Sequence, residues 1–493
     1  MAARDQVTAR FAQRIAAARA ARDPKLAAAW QAWRAASAEV ARTELQPARD
    51  DAARHAAQDA MDHADRDLAD AANPFVAAAL DAKRSALADL RGVTPPESSL
   101  VLFVVVQPHV ASDFAKPDAA QGAPDLYALV LPTAGGQPRA IKLGSAAQAA
   151  QRIEAWSAAL SDPGTALAAV NARGTAVREM LWDPLRTALP GKRVLIVPSG
   201  ALFRVAWSAL PEGNGFLIDR GWSIHVLNHE RELLAPALPP MQRLLAIADP
   251  APPLALPQNN ACPDTDRLPA LPGARREAQE LGEFWRSRFA QADALQLLVG
   301  ENATKARVRE ASPRADVLHF ATHSVGAIGA GCANVATRGF ALVGDTPAAE
   351  AEAALFVPAA LALAPVQQAG SEIDGLLSAE EIAALDLSHV HWAVLAACAT
   401  AAGATRHYEG LFGLARAFRI AGARTVLMSL WPVDDTATAQ WSKALYQARF
   451  GRGLDTAAAL TYAQRSVLDA RRRHGDSQHP YYWAAFVAVG DWR

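Results

Sequence analysis

From residue 100 onward the chain alternates short apolar runs with longer segments of mixed polarity. The runs at 100–106, 193–197 and 244–248 are rich in Val, Leu and Ile, which is typical of buried strands in a parallel sheet. Segments between such runs, for example 146–160, 273–290 and 410–421, predict helices, and further apolar runs at 126–131, 139–143, 295–298 and 483–489 predict strands. Strands that alternate with helices favour an α/β fold, with a mostly parallel sheet covered by helices on both faces.

The first ninety-odd residues have a different pattern. Ala, Arg, Asp and Gln dominate them, and no glycine precedes Gly92, so helix is favoured throughout. The predicted helices are 5–22, 24–43 and 49–90. A proline inside a helix removes a hydrogen bond, so we expect the last helix to break near Asn73-Pro74.

Two stretches of linker-like composition divide the chain. One is the Thr-Pro-Pro-Glu-Ser-Ser segment at 94–99, and the other is the Pro-rich segment at 236–272. They predict three parts, namely an all-helical N-terminal segment at 1–92 and two α/β segments at 93–240 and 241–493.

Two of the apolar runs end on reactive side chains. The run that begins at Asp316 ends on His323, and the run that begins at Trp392 ends on Cys398. In open α/β sheets catalytic groups lie just beyond the carboxyl ends of strands. A Cys and a His placed in this way are the ingredients of a thiol nucleophile with an imidazole base. The alternative is that Cys398 is a buried structural thiol, because unpaired cysteines are among the most buried residues.

Composition excludes several other classes of protein. The formal net charge of −1 and the pI near 6.9 give no general attraction for nucleic acid or for anionic membranes. Three cysteines are too few for a disulfide framework, and no Cys-x-x-Cys pair indicates structural zinc. His319 and His323 have no third ligand at a suitable spacing, so we expect neither metal nor cofactor. The N-terminus lacks the apolar core of a signal peptide, which favours a cytoplasmic location.

Several motifs occur in a fixed order along the second α/β segment. They are 317–323 (Val-Leu-His-Phe-Ala-Thr-His), 374–382 (Asp-Gly-Leu-Leu-Ser-Ala-Glu-Glu-Ile), 393–400 (Ala-Val-Leu-Ala-Ala-Cys-Ala-Thr), 409–418, 421–435 and 479–486. Together they resemble the CHAT family of caspase- and separase-related cysteine peptidases (clan CD), and 194–210 is similar to the region that precedes the catalytic part in that family. The resemblance covers about residues 100–493.

The resemblance implies an inactive caspase-like half, here about 100–240, followed by an active caspase-like peptidase half at 241–493. Cys398 is then the nucleophile, and His323 is the general base that later donates a proton to the leaving amine. Backbone N–H groups of Cys398 and of Ser324 or Gly326 are candidates for an oxyanion hole. Two positions depart from the family: Ala399 replaces a more frequent acidic residue, and Ser324 replaces a frequent glycine.

Substrate preference is predicted from the residues after the run at 424–429. Asp434 and Asp435 follow it, and a carboxylate in an S1 pocket would select a basic P1 side chain. The resemblance to separase-like enzymes likewise implies cleavage after Arg, or alternatively Lys. One aspartate also suits the cap of a helix predicted at 434–449, and we assign Asp434 to the cap and Asp435 to the pocket. Trp431 is a candidate pocket wall, with core packing as the alternative.

Three functional hypotheses follow. The first is a cysteine endopeptidase acting on a protein substrate, for which a neighbouring gene is a candidate source. The second is a catalytically silent CHAT module that serves as a protein-interaction scaffold, which the Ala399 departure favours. The third is a protein in which the helices of residues 1–92 bind a partner and dominate function.

An endopeptidase also needs restraint. The helical segment, the Gly-rich segment 324–375 and an activating protein partner are candidate regulators. Arg338 in that segment, and Arg406 in a loop predicted after Cys398, are candidate self-cleavage points, with ordinary solvated loop residues as the alternative.

Overall fold

The chain divides into two compact units, and strands of the main sheet occur in both. A computed structural model describes residues 6–20, 23–44, 51–81, 87–107, 123–133, 136–251, 268, 270–326, 359–366, 375–396, 404–433 and 435–493. The first unit consists of residues 1–84 and 237–439, and the second of residues 85–236 and 440–493. Helices pack against a mostly parallel sheet in both units, which confirms the predicted α/β class.

The helices of the described residues are α1 (Gln6–Ala20), α2 (Pro24–Glu44), α3 (Asp51–Asp81), α4 (Leu87–Val93), α5 (Ala146–Leu160), α6 (Leu167–Leu181), α7 (Pro272–Arg288), α8 (Lys305–Ala311), α9 (Ala379–Ala383), α10 (Ala404–Ala421), α11 (Asp435–Tyr446) and α12 (Thr456–His474). Most lie within a few residues of their predicted bounds. The helix predicted at 410–421 begins earlier, at Ala404. The helix expected to break near Asn73-Pro74 continues through Pro74 to Asp81, so that prediction was wrong. A helix can tolerate an internal proline at the cost of one backbone hydrogen bond and a local bend.

The strands are β1 (Ser98–Val106), β2 (Asp125–Pro132), β3 (Arg139–Ser145), β4 (Arg193–Val197), β5 (Pro211–Glu212), β6 (Gly215–Phe216), β7 (Ser223–Val226), β8 (Leu244–Pro250), β9 (Leu295–Gly300), β10 (Val317–Ala321), β11 (Ser324–Gly326), β12 (Ala359–Ala362), β13 (Leu376–Ser378), β14 (Trp392–Leu395), β15 (Thr425–Ser429) and β16 (Phe486–Gly490). The short strands β5, β6, β7, β11, β12 and β13 were not predicted. Strands this short have too few residues for a periodic pattern to stand out.

In the first unit all strands of the main sheet are parallel, in the order β9-β8-β10-β14-β15. Strand β10 therefore lies between β8 and β14, and Val317 pairs with Leu244 on one side and with Trp392 on the other. Helix α7 packs on β8, β9 and β10. A small antiparallel sheet, β11-β12-β13, begins three residues after β10 ends.

In the second unit the sheet has the order β3-β2-β1-β4-β7-β16. Strands β1, β2 and β3 form antiparallel pairs, and the remaining pairs are parallel. Its core includes Leu100, Leu102, Leu195 and Val197, which pack with Leu90 of α4.

The two units differ from the predicted three-part division at the C-terminus. Residues 440–493, predicted to belong with 241–493, group with the first α/β segment instead. The reason is sheet pairing, because β16 runs parallel to β7 and α12 packs on both strands. The other boundaries, after residues 84 and 236, lie close to the predicted boundaries after 92 and 240.

The N-terminal helices α1, α2 and α3 pack on one another and also on helices of the first unit. Phe11, Ile15 and Trp33 are buried among them. Helix α1 contacts α10, and α2 contacts α9. The segment is all-helical as predicted, but it is part of a larger unit and does not stand apart.

Arg19 joins these helices through backbone carbonyl groups. Its guanidinium donates hydrogen bonds to the carbonyl oxygens of Ala383 and Ala421, each at 2.9 Å, and to that of Leu385. Ala383 and Ala421 are the last residues of α9 and α10, whose final carbonyls have no intrahelical donor. Burial lowers the pKa of Arg19 to about 10, against the opposing effect of the Asp386 carboxylate. One side chain therefore satisfies two helix C-termini.

We predict that Arg19→Ala lowers the free energy of unfolding by at least about 2 kcal/mol, because buried carbonyls would lose their charged donor. The matched control is Arg42→Ala. Both arginines lie in the last turn of their helices, but the side chain of Arg42 is 52% exposed and pairs with Glu39, whereas that of Arg19 is 16% exposed. Urea denaturation measures both, and an equal loss in the two variants would contradict the role given to Arg19.

Candidate active site

His323 lies two residues beyond the carboxyl end of β10, and it is buried. Its backbone is held by the neighbouring β12, because the amide of Ala362 donates to the carbonyl oxygen of His323 at 2.9 Å. The hydroxyl of Thr322 donates to the carbonyl oxygen of Ala362. Two bonds thus fix the chain at the base of the predicted catalytic imidazole.

The same pairing sets the direction of the next amide groups. Ser324 lies opposite Leu361 in an antiparallel ladder, and Gly326 lies opposite Ala359. Because the bond from Ala362 to His323 flanks this pair, positions 324 and 326 are non-hydrogen-bonded positions of the ladder. Their N–H groups therefore point away from β12.

A cleft opens at the carboxyl ends of β10 and β14. The space in it that water can occupy is about 20 Å³. Its lining comes from four parts of the first unit: the end of β10, the residue after β14, the start of α7 and the first turn of α11. The lining residues are Leu271, Gly273, Ala274, Glu277, Ala321, Thr322, His323, Ala396 and Thr438.

One carboxylate lines this cleft among the described residues, that of Glu277 on α7. Its Oε1 lies 3.1 Å from Nε2 of His319, an ion-pair distance whose geometry falls short of a hydrogen bond. His319 is completely buried in β10, and it shares a strand face with Ala321. The cleft therefore contains a buried carboxylate and imidazole beside the His323 strand.

Helix α7 is anchored next to the cleft by Asp249, near the end of β8. Its carboxylate accepts a hydrogen bond from the amide of Leu271 at 2.8 Å and one from Nε of Arg275 at 2.7 Å. Asp249 has a φ of 42°, a conformation that is uncommon outside glycine and costs of order 1–3 kcal/mol. The two bonds hold the first turn of α7, which carries Gly273 and Ala274, against the strand ends.

Comparison with known proteins gives the family. The CHAT domain model matches residues 171–491, well over half of the chain. The chain belongs to the CHAT domain family. The resemblance inferred from the motifs is thereby confirmed.

Curated relatives of this CHAT chain are much longer proteins. Tetratricopeptide repeat protein 28 of Mus musculus is 31% identical over 233 residues, and its Homo sapiens counterpart is 29% identical over 236 residues. Each alignment covers 45% of the chain but 8% of the relative. The chain therefore corresponds to a small part of those proteins.

Solved structures that resemble the CHAT chain are distant in sequence. The Saccharomyces cerevisiae separase–securin complex has a TM-score of 0.45 and 11% identity, covering 82% of this chain and 30% of that chain. The complex of Porphyromonas gingivalis RgpB pro- and mature domains has a TM-score of 0.34 and 9% identity, covering 70% of this chain and 76% of that chain.

The predicted site residues are distributed unevenly over the described structure. Cys398 lies outside the described residues, and so do Asp434 and Arg338. Asp435 is the first residue of α11, the helix that contributes Thr438 to the cleft. Trp431 is fully buried and does not line the described cleft, so its role as a pocket wall stays a prediction.

Arg406 lies in the first turn of α10 and not in a loop. The loop assignment was wrong because the helix begins six residues before the predicted start at 410. Peptidases bind extended chain, so cleavage after Arg406 would require this turn to open.

Sequence reasoning missed Glu277. The signal was present in the helix predicted at 273–290, where Ala274, Ala278, Leu281 and Trp285 form an apolar stripe at helical spacing. Glu277 lies within that stripe, three residues after Ala274 and four before Leu281. An acidic residue on a buried helix face requires a partner, and the partner could not be named from the helix alone.

No group of three or more His, Cys, Asp or Glu side chains among the described residues is arranged to hold a metal ion. In the same part of the chain, every helix is too short or too polar to cross a membrane.

We predict that Asp249→Ala lowers the free energy of unfolding by about 2–4 kcal/mol. The change removes an acceptor for two hydrogen bonds and places alanine at a positive φ. Asp249→Asn is the matched control, since asparagine tolerates this conformation and keeps an acceptor for the Leu271 amide. Urea denaturation should show a smaller loss for Asn than for Ala; the reverse order would show that the carboxylate does not anchor α7.

Proposed function

We propose that the chain is a cysteine endopeptidase with Cys398 as nucleophile and His323 as general base. The observation that carries the proposal is that His323 and Ala396 line one cleft at the ends of neighbouring parallel strands. Cys398 follows Ala396 by two residues, which span at most about 7 Å when extended. Residues paired between β10 and β14, such as Val317 and Trp392, have the same sequence separation as His323 and Cys398.

The proposed chemistry follows from these two groups. The imidazole of His323 takes the proton from the thiol of Cys398, and the thiolate attacks the scissile carbonyl carbon. The imidazolium then donates its proton to the leaving amine, and water hydrolyses the thioester with His323 again acting as base. The amides of Ser324 and Gly326, which point away from β12, are proposed with that of Cys398 as donors to the oxyanion.

The proposed substrate is a protein cut after Arg or Lys, and a neighbouring gene is a candidate source for it. Asp435 begins the helix that reaches the cleft through Thr438, and this supports its assignment to the S1 pocket. Asp434 would cap that helix. Trp431 would support the pocket from the core. The helical segment 1–92 or the segment 324–375 would restrain the site until an activating protein partner aligns the dyad, and Arg338 and Arg406 would be points of self-cleavage.

The second candidate is a catalytically silent scaffold. Two observations favour it. Ala399 departs from the acidic residue that is more frequent after the cysteine in this family. The curated relatives are named for tetratricopeptide repeats and not for a catalytic activity.

We expect an Arg-based chloromethyl ketone to label the wild type at Cys398, because such probes need a nucleophilic thiol and a proton donor. Cys398→Ala should abolish labelling, and His323→Ala should slow it by more than about a thousandfold, since the two groups act as a unit. Cys262→Ala is the matched control and should label normally.

Intact mass spectrometry reads the labelling and also reports fragments that end at Arg338 or Arg406. Fragments in the wild type that are missing in Cys398→Ala would support self-cleavage. If the probe does not label the wild type in the presence of any candidate partner protein, the catalytically silent scaffold is favoured.

We expect Asp435→Asn to reduce turnover of peptides with Arg at P1 by more than tenfold. The reason is loss of a charge-assisted contact worth about 1.5–3 kcal/mol. Peptides with Leu at P1 should change little, and they serve as the control substrate. Equal cleavage of Arg and Leu peptides by the wild type would remove the basis for an acidic pocket.

A further inference from the structure

The pair formed by Glu277 and His319 has no role in the mechanism above. Glu277 is 8% exposed and His319 is completely buried, and their side chains meet 3.1 Å apart. Burying a carboxylate in a partly closed cleft is costly unless a positive charge or hydrogen-bond donors compensate it. Glu277 contacts His319, and Glu277 and His323 line the same cleft.

The position of Glu277 relative to His323 is set by two rigid elements. His319 and Ala321 are two residues apart and share the face of β10 that contacts α7, and His323 follows two residues after the strand ends. Asp249 holds the first turn of α7, and His319 contacts Glu277 one turn further on. The carboxylate therefore lies beside β10, the strand that precedes His323.

We propose that Glu277 is a positioning residue for the base: its carboxylate, which lies 3.1 Å from the His319 imidazole and lines the same cleft as His323, stabilises the protonated imidazole of His323. The inference rests on the proposed function, in which His323 accepts the thiol proton of Cys398. When the thiol proton of Cys398 moves to the imidazole, a thiolate and an imidazolium form. The negative charge of Glu277 favours the imidazolium, because charges interact more strongly in a protein cleft than in bulk water. The proton then passes from His323 to the leaving amine.

The other ionisable groups around the cleft are less suited to this role. The carboxylate of Asp249 is engaged by Arg275 and by the amide of Leu271. Strands β12 and β14, on either side of the His323 segment, contain no ionisable residue. The remaining ionisable residues on the elements around the site are His319 on β10, Arg276, Glu280, Glu283, Arg286 and Arg288 on α7, Arg416 and Arg419 in the C-terminal part of α10, and Asp435, Lys443 and Tyr446 on α11.

The direct test is the titration of His323 by NMR, using histidine labelled with ¹³C at the ring in the Cys398→Ala protein. A His323→Gln variant assigns the signal. Replacing Glu277 by Gln removes a negative charge that favours the protonated ring, so the pKa of His323 should fall, by roughly one unit or tenfold in the ionisation constant. An unchanged pKa would overturn the proposal.

Glu232→Gln is the matched control. Glu232 belongs to the second unit, is 6% exposed and accepts hydrogen bonds from Asn228, so the variant removes an equally buried carboxylate elsewhere. It should leave the pKa of His323 unchanged, and an equal fall in both variants would count against Glu277. If Glu277→Gln does not fold, Glu277→Asp is used instead. It keeps the negative charge but shortens the side chain by one methylene, so a smaller fall in the pKa of His323 is expected.

A second measurement separates this role from contact with the substrate. The rate of inactivation by the Arg-based chloromethyl ketone is followed against pH in the protein with Cys398 intact. In Glu277→Gln the alkaline limb should move to lower pH in step with the pKa of His323. If Glu277 instead contacted the cationic side chain of the probe, the rate would fall by the same factor at every pH, and that result would overturn the proposal.

Different results contradict the proposed function and the role of Glu277. A Cys398 thiol that reacts no faster than that of Cys262 contradicts the proposed function. A His323 titration that does not respond to Glu277→Gln contradicts the role of Glu277, even where Cys398 is reactive.

Discussion

The parallel register of β10 and β14 is the constraint on which the candidate site depends. Backbone hydrogen bonds pair Phe320 with Leu395, so both strands end at the same edge of the sheet. Both strands are buried, and a shift of one residue would turn every side chain to the opposite face. Packing and hydrogen bonding therefore specify the same register, and His323 and Ala396 meet in one cleft although they are far apart in sequence.

Two carboxylates buried near this edge contact residues of a different element. Asp249 of β8 bonds to the start of α7, and Glu277 of α7 contacts His319 of β10. The net contribution of such a pair to the free energy of unfolding is small. Removal of one partner is destabilising, because it leaves an uncompensated buried group. These pairs tie the helix to the sheet more specifically than apolar packing, and they place charge beside the proposed base.

The same requirement, that buried polar groups find partners, explains how the N-terminal helices join the first unit. The final carbonyls of α9 and α10 have no donors within their own helices, and Arg19 of α1 supplies them. Helix α10 begins at Ala404, soon after the segment that contains Cys398. The N-terminal segment is thus a structural part of the unit that holds the candidate site.

Local pattern by itself determined the α/β class, most helix and strand positions, the family motifs and the choice of His323 and Cys398. It did so because strand and helix periodicity, and a reactive residue at a strand end, are properties of neighbouring residues. Tertiary structure alone decided that residues 440–493 join the second unit, that Arg19 caps two helices, and that Glu277 lies beside His319. These outcomes depend on pairing between residues distant in sequence, and the periodicity of a single segment does not identify its partner.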